Sequence, residues 1–358
     1  MKLKDTSNRL FLLVGFCAWL GLGVAIGSEE ERSLARADGR IVGPDDPQKG
    51  CIKCHDGEVR AWEETTHYGA YDALDGSEHA EEILENLGLD DYAVESKRCQ
   101  SCHVTMYAEL EGDEPEGKWG ISCESCHGPA SSWVDVHQDF GKDDAGAKIT
   151  PEERAKETDE HRRSRMERSI ALGMIRPENI YTLASNCLEC HTVPDPELVD
   201  LGGHTAGSEG FELVAWSQGQ VRHNFLHGGK NEAATPERLR VLYVVGKVVD
   251  LEFSLRALSK AKEDGDFAQS MTARVAAARE YLTAIEGAVG ETHAEAIAAI
   301  RKLGEGLGVG DSDALTAAAD GVRASGRALA AKLGDGAGLE GISALLPDPS
   351  TYVVEKRA

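Results

Sequence analysis

Apolar residues recur with a helical period in the last third of the chain. Thr235 followed by Pro236 forms a typical helix start. Apolar side chains then stand at Leu239, Leu242, Val245, Val249, Phe253 and Ala257. Because this spacing returns to one face of an α-helix, it predicts one long helix that ends before Gly265.

The same third of the chain predicts three more helices. They run from about Phe267 to Ile285, from the capping-box pattern Thr292–Glu295 to Gly304, and from about Asp313 to Leu333 before Gly334. Four helices with short turns predict an antiparallel α-helical bundle over residues 231–345, followed by a tail at 346–358. Together with the irregular, glycine- and proline-punctuated residues 28–230, this pattern predicts a mainly α protein with two unlike halves.

The N-terminus has the pattern of an export signal. Lys2, Lys4 and Arg9 precede an uncharged apolar run from Leu10 to Ile26, and Gly27 completes a small-residue cleavage pattern. We expect residues 1–27 to be a signal peptide. The alternative is an uncleaved membrane anchor formed by residues 10–26, since the run is close to bilayer length.

One short motif, Cys-x-x-Cys-His, occurs four times. Its cysteines are Cys51, Cys54, Cys99, Cys102, Cys123, Cys126, Cys187 and Cys190, and its histidines are His55, His103, His127 and His191. Two thiols at this spacing can bond the two vinyl groups of one haem while the next histidine reaches its iron. Zinc sites built from paired Cys-x-x-Cys motifs do not require a histidine after each second cysteine. The repeats therefore predict four covalently bound haem c groups in residues 28–230.

The remaining cysteine and the charge refine this interpretation. The chain has nine cysteines, and the ninth, Cys17, lies in the apolar N-terminal run, so no pair remains for a disulfide. Covalent haem attachment and an export signal together predict a periplasmic protein. The formal net charge is −24, with +2 in residues 1–27, about −22 in residues 28–230 and −4 in residues 231–358. This sign disfavours nucleic acid as a partner and favours a basic redox protein as electron donor or acceptor.

Further histidines decide whether each haem iron has two protein ligands (a closed iron) or only one (an open iron). Two strong axial ligands make an electron carrier, whereas an open position admits a substrate. The candidate second ligands are His67, His137, His204 and His223. His227 is an alternative to His223 as a ligand, whereas His79 and His293 are expected to lie at the surface. A predicted helix over residues 153–172 adds Arg162, Arg163, Arg165 and Arg168, which either pair with haem propionates or form a solvated face.

At these motifs the chain resembles the tetrahaem cytochrome c-554 type, which accepts electrons from hydroxylamine oxidoreductase in nitrifying bacteria. The resemblance runs from about residue 50 to residue 191 and more loosely to residue 225. It is most specific at the first motif with Trp62 and His67, and at Gly120–Pro129. It implies that His67 serves the third haem, that His137 serves the first, and that His204 or His223 serves the fourth. In that family the second haem is five-coordinate, yet this chain has enough histidines to close all four irons.

The leading functional prediction is an exported tetrahaem electron carrier with no catalytic residue. The alternative is a multihaem oxidoreductase that acts on a small nitrogen or sulfur species at a five-coordinate haem. The predicted bundle lies outside the resemblance; an exposed apolar stripe on its first helix would favour docking to a membrane redox complex or homo-oligomer formation.

Overall fold

The computed structural model describes residues 43–45, 50–107, 116–208, 210–225 and 229–352. The predicted signal segment, Cys17 and His227 lie outside these residues. The described chain is mainly helical, as the sequence predicts. Among the described helices, none is both long and apolar enough to cross a bilayer.

The part of the chain that carries the motifs consists of short helices joined by turns. These helices are α1 (Asp56–Glu63), α2 (Ala70–Leu74), α3 (Glu78–Asn86), α4 (Lys97–His103), α5 (Cys123–His127), α6 (Val134–His137), α7 (Asp159–Ala171), α8 (Ile180–His191), α9 (Pro196–Asp200) and α10 (Leu213–Gln218). Strands β1 (Thr105–Tyr107) and β2 (Glu116–Trp119) form an antiparallel pair with Met106 opposite Gly117. The predicted helix over 153–172 is interrupted: a 3₁₀ turn, Pro151–Lys156, precedes α7, whose N-cap is Thr158.

Four further helices follow, close to the predicted positions. They are α11 (Pro236–Leu258), α12 (Asp266–Ala288), α13 (Glu291–Lys302) and α14 (Ser312–Leu333). Thr235 caps α11 through its side chain, and α14 ends at Gly334, whose φ of 52° lies in the left-handed region. The predicted capping box at Thr292 is wrong. Helix α13 begins at Glu291, and its N-cap is Gly290, two residues before Thr292 and without a capping side chain.

One apolar core joins these four helices to the helix that carries the fourth motif. Ile180, Tyr181, Ala184 and Leu188 of α8 are buried in the same cluster as the inner residues of α11 to α14. The hydroxyl of Tyr181 donates to the fully buried carboxylate of Glu252 on α11 at 2.6 Å. The packing is therefore continuous across residue 230, and α8 is anchored to the C-terminal helices.

Candidate functional site

Each Cys-x-x-Cys-His motif lies on a single turn of helix. The first occupies a 3₁₀ turn at Cys51–Lys53, and the other three lie on α4, on α5 and at the end of α8. Residues three apart on a helix share a face, so the two thiols of each motif lie near each other and the histidine follows at the end of the turn. The local structure of each motif thus places two thiols and one histidine on the same turn, as covalent attachment of one haem requires.

The structure pairs every motif histidine with one histidine from outside the motifs. The ring centres lie 6.2 Å apart for His55 and His137, 6.4 Å for His103 and His204, 6.1 Å for His127 and His223, and 6.0 Å for His191 and His67. All eight sequence-predicted histidines are thereby brought together in four pairs.

The four separations fall in a narrow range, 6.0 to 6.4 Å, and exceed that of a face-to-face stacked pair in this chain. The ring of Phe211, for comparison, stacks on His191 with its centre at 4.5 Å. Metal–imidazole bonds are about 2 Å long, so two imidazoles on opposite sides of one metal ion have ring centres about 6 Å apart. The four pairs therefore fit haem iron with two axial histidines. No group of three or more His, Cys, Asp or Glu side chains arranged for a metal ion occurs among the described residues.

Nδ1 of His55 lies 3.4 Å from a carboxylate oxygen of Glu58, and four more of the eight rings have a shorter contact between Nδ1 and an oxygen atom. The partners are Ile175 O for His127 at 2.9 Å, Ser208 Oγ for His191 at 2.7 Å, Thr205 O for His204 at 2.8 Å and Val221 O for His223 at 2.6 Å. A carbonyl oxygen only accepts, so Nδ1 of His127, His204 and His223 carries the proton. Their Nε2 is left with its lone pair for a metal, as is usual for ligating histidines.

Burial keeps several of these rings neutral. Loss of hydration lowers the pKa of His137 and of His191 to about 4, and it lowers the pKa of His67, His103 and His127 in the same direction. A protonated imidazole cannot bind a metal ion. The folded chain thus holds these side chains in the ligand form.

Three of the four pairs differ from those implied by the resemblance. His67 faces His191 of the fourth motif, not His127 of the third, and His223 faces His127. The main chain of His67 is held by Ile121, whose N–H donates to its carbonyl at 2.8 Å, and a side chain at Gly120 would collide with that carbonyl. His137 faces His55 as the resemblance implies. His204 faces His103, so the second motif also has a partner.

The four motifs lie against one another. Thr105, two residues after His103, bonds Ser125 of the third motif between hydroxyls 2.7 Å apart. The Asn186 amide, just before the fourth motif, donates to the Ser125 carbonyl at 2.9 Å. A hydrogen bond with Cys51 is the largest cause that raises the pKa of Cys123. Groups bound at these motifs would form one close cluster.

The arginine run does not act as one unit. Arg162, Arg163 and Arg168 are exposed, whereas Arg165 is buried and forms two hydrogen bonds to Glu157 at 2.8 and 2.7 Å. Arg165 also donates to the main-chain carbonyl of His137 at 2.7 Å. It therefore braces a candidate ligand and is not available as a propionate partner.

Sequence reasoning missed the side chains that hold the histidines. Ser208 and Arg274 contact His191, with Arg274 reaching it from α12, and Glu157 holds Arg165, which in turn contacts His137. None of them stands in a recognisable motif, and each contacts the site only through the folded chain.

Comparisons with known proteins agree with the motif chemistry. Residues 50–128 match the family described as cytochrome c554 and c-prime. The chain is 29% identical over 129 residues to cytochrome c-554 of Nitrosomonas europaea, a match that covers 33% of this chain and 54% of that protein. The chain thus spans about half the length of this curated relative. No solved structure is significantly similar to the present chain. The segment that carries the first three motifs is thus similar to cytochrome c554.

Proposed function

We propose that this chain is an exported tetrahaem electron carrier that transfers electrons between periplasmic redox partners. The observation that carries the proposal is the set of four histidine pairs, each with ring centres 6.0 to 6.4 Å apart and one member in a Cys-x-x-Cys-His motif. The similarity to cytochrome c-554 supports covalent haem and electron transfer.

The residues divide into attachment and ligation. The eight motif cysteines would hold four haems by thioether bonds, and each histidine pair would bind one iron from both sides. Haem iron supplies a one-electron redox couple when bound. The chain's own part is to keep the imidazoles neutral, to orient them through Nδ1 partners and to hold the motifs in contact.

The pairing favours a carrier over the alternative enzyme. An oxidoreductase that acts on a small nitrogen or sulfur species needs an iron with an open position. In this chain the ring centre of His204 lies 6.4 Å from that of His103, so an iron bound at the second motif would have a histidine on each side. His204 thus takes the place that would otherwise admit a substrate.

The C-terminal helices are proposed to be a scaffold, an antiparallel bundle that supports the fourth haem. The sequence left docking and oligomer formation open, with an exposed apolar stripe on α11 as the criterion. Between Arg240 and Leu258 nearly every residue of α11 is buried.

The acidic charge of residues 28–230 supports a basic redox protein as partner.

Carbon monoxide binding tests the proposal. We expect the dithionite-reduced protein to carry four haems by mass and to show no Soret shift with carbon monoxide. The His204→Ala variant should show a shift in about a quarter of the absorbance, since one iron of four opens. The matched control is His79→Ala, which removes an exposed histidine outside the four pairs. A Soret shift in the unmodified protein would show an open iron, remove either His204 or His223 from the ligand set and favour the enzyme; if His204→Ala then added no further shift, the residue removed would be His204.

A further inference from the structure

The main chain of His191 is held from two sides. Its carbonyl accepts one hydrogen bond from the Ser208 amide and one from Nη1 of Arg274, both at 3.1 Å. The Ser208 hydroxyl also lies 2.7 Å from Nδ1 of the His191 ring. One side of this clamp comes from the loop after α9, and the other comes from α12.

Arg274 is itself fixed by a carboxylate on the neighbouring helix. Its Nε donates to Oδ1 of Asp250, on α11, at 2.6 Å. Only 15% of the Arg274 side chain and 18% of the Asp250 side chain are exposed, so water screens this pair little. The guanidinium is thus an oriented cation directly behind the proximal histidine of the fourth motif.

The loop is shaped to admit the guanidinium. Gly207 has a φ of +85°, and a Cβ atom there would lie 3.0 Å from Nη1 of Arg274 and 3.3 Å from the His191 carbonyl oxygen. A side chain at this position would crowd the contact and strain the backbone. Ser270, one helical turn before Arg274, donates to the Ala206 carbonyl at 3.3 Å and holds the loop against α12.

We propose that Arg274 is a positioning residue of the fourth haem and that, with Asp250, it sets the reduction potential of that haem. The inference rests on the proposed function, in which His191 binds the fourth iron. A cation close to a haem favours the reduced state, which carries one positive charge fewer, and an anion favours the oxidised state. This gives residues 232–358, outside the family similarity, a direct part in the electron-transfer chemistry.

Potentiometry of four variants tests the proposal. In Arg274→Gln the charge of Asp250 is uncompensated, so the potential of one haem in four should move to a more negative value. In Asp250→Asn the same haem should move in the opposite direction. Arg274→Lys keeps the cation, so the potential of this haem should stay close to its value in the unmodified protein. The control, Arg279→Gln, removes an arginine of the same helix that donates to the Leu303 carbonyl at 2.8 Å, and it should leave all four potentials unchanged.

Electron paramagnetic resonance of the oxidised proteins gives a second readout. Loss of the clamp should alter the low-spin signal of one haem, because ring orientation sets its g values. Unchanged potentials and signals in Arg274→Gln, with four low-spin haems still present, would overturn this inference alone. An unmodified protein that lacks a fourth bis-histidine signal would contradict the proposed function instead.

Discussion

At the scale of single residues, the Arg165–Glu157 pair shows how a charge can serve a ligand without touching the metal. The Glu157 side chain is only 3% exposed and accepts hydrogen bonds from Nε and Nη2 of Arg165. The remaining Arg165 nitrogen, Nη1, holds the carbonyl of His137. Because a buried arginine without its carboxylate is costly, Glu157 indirectly secures His137.

We predict that Glu157→Gln lowers the free energy of unfolding at neutral pH by about 3 kcal/mol, since it breaks a buried ion pair. The hydrogen bond from Arg165 holds the pKa of Glu157 below its usual 4.5. Its contribution is therefore complete above pH 4.5 and is lost as the pH falls through the folded-state pKa. Guanidinium unfolding, followed by circular dichroism at neutral and acid pH, measures both effects.

The control for this prediction is Glu153→Gln. Glu153 pairs with Lys156 at the surface, where ion pairs contribute little, so the loss of its charge should leave the free energy of unfolding almost unchanged. Equal stability of Glu157→Gln and Glu153→Gln at neutral pH would show that the buried pair does not brace His137.

At the scale of elements, a close approach of α14 to α8 and α11 joins the motif-bearing helix to the C-terminal helices. A Cβ atom on Gly326 of α14 would lie 2.6 Å from Cε2 of Tyr181 and 2.7 Å from Cγ1 of Val248. Real Cβ atoms essentially never come so near, so the helices would have to move apart. The missing side chain sets the distance at which α8 is held.

We predict that Gly326→Ala destabilises the protein by about 2 kcal/mol, although alanine favours helix over glycine by about 1 kcal/mol. The matched control is Gly287→Ala on α12, where a Cβ would meet nothing within 4 Å. That variant should be neutral or stabilised by up to about 1 kcal/mol. Denaturant unfolding of both variants measures the difference, and the packing argument is wrong if both changes stabilise equally.

At the scale of the whole molecule, the net charge of −24 should attract cationic redox reagents to the proposed haem protein and repel anionic ones. Screening over about 10 Å at 0.1 M salt weakens long-range attraction between opposite charges. We predict that oxidation of the reduced protein by a cationic cobalt complex slows as ionic strength rises, whereas oxidation by ferricyanide accelerates. Stopped-flow absorbance at the haem bands measures both rates. The same trend with both reagents would contradict steering by the acidic surface.

Much of this arrangement could be predicted because its signals are local. The spacing of Cys123, Cys126 and His127 is a property of one helical turn, and Thr235 and Gly334 mark helix ends through their own backbone preferences. The false capping box at Thr292 shows the limit of such patterns, since a glycine N-cap one residue before the helix start serves instead.

The sequence by itself determined the number of motifs, the chemistry of their attachment and the eight candidate histidines, because each depends on residue type at short spacing. Only the tertiary structure decided that His67 faces His191, that His204 faces His103 and that Arg274 stands behind the fourth site. These contacts join residues far apart in the chain. Their distances follow from how the helices pack, which no local spacing contains.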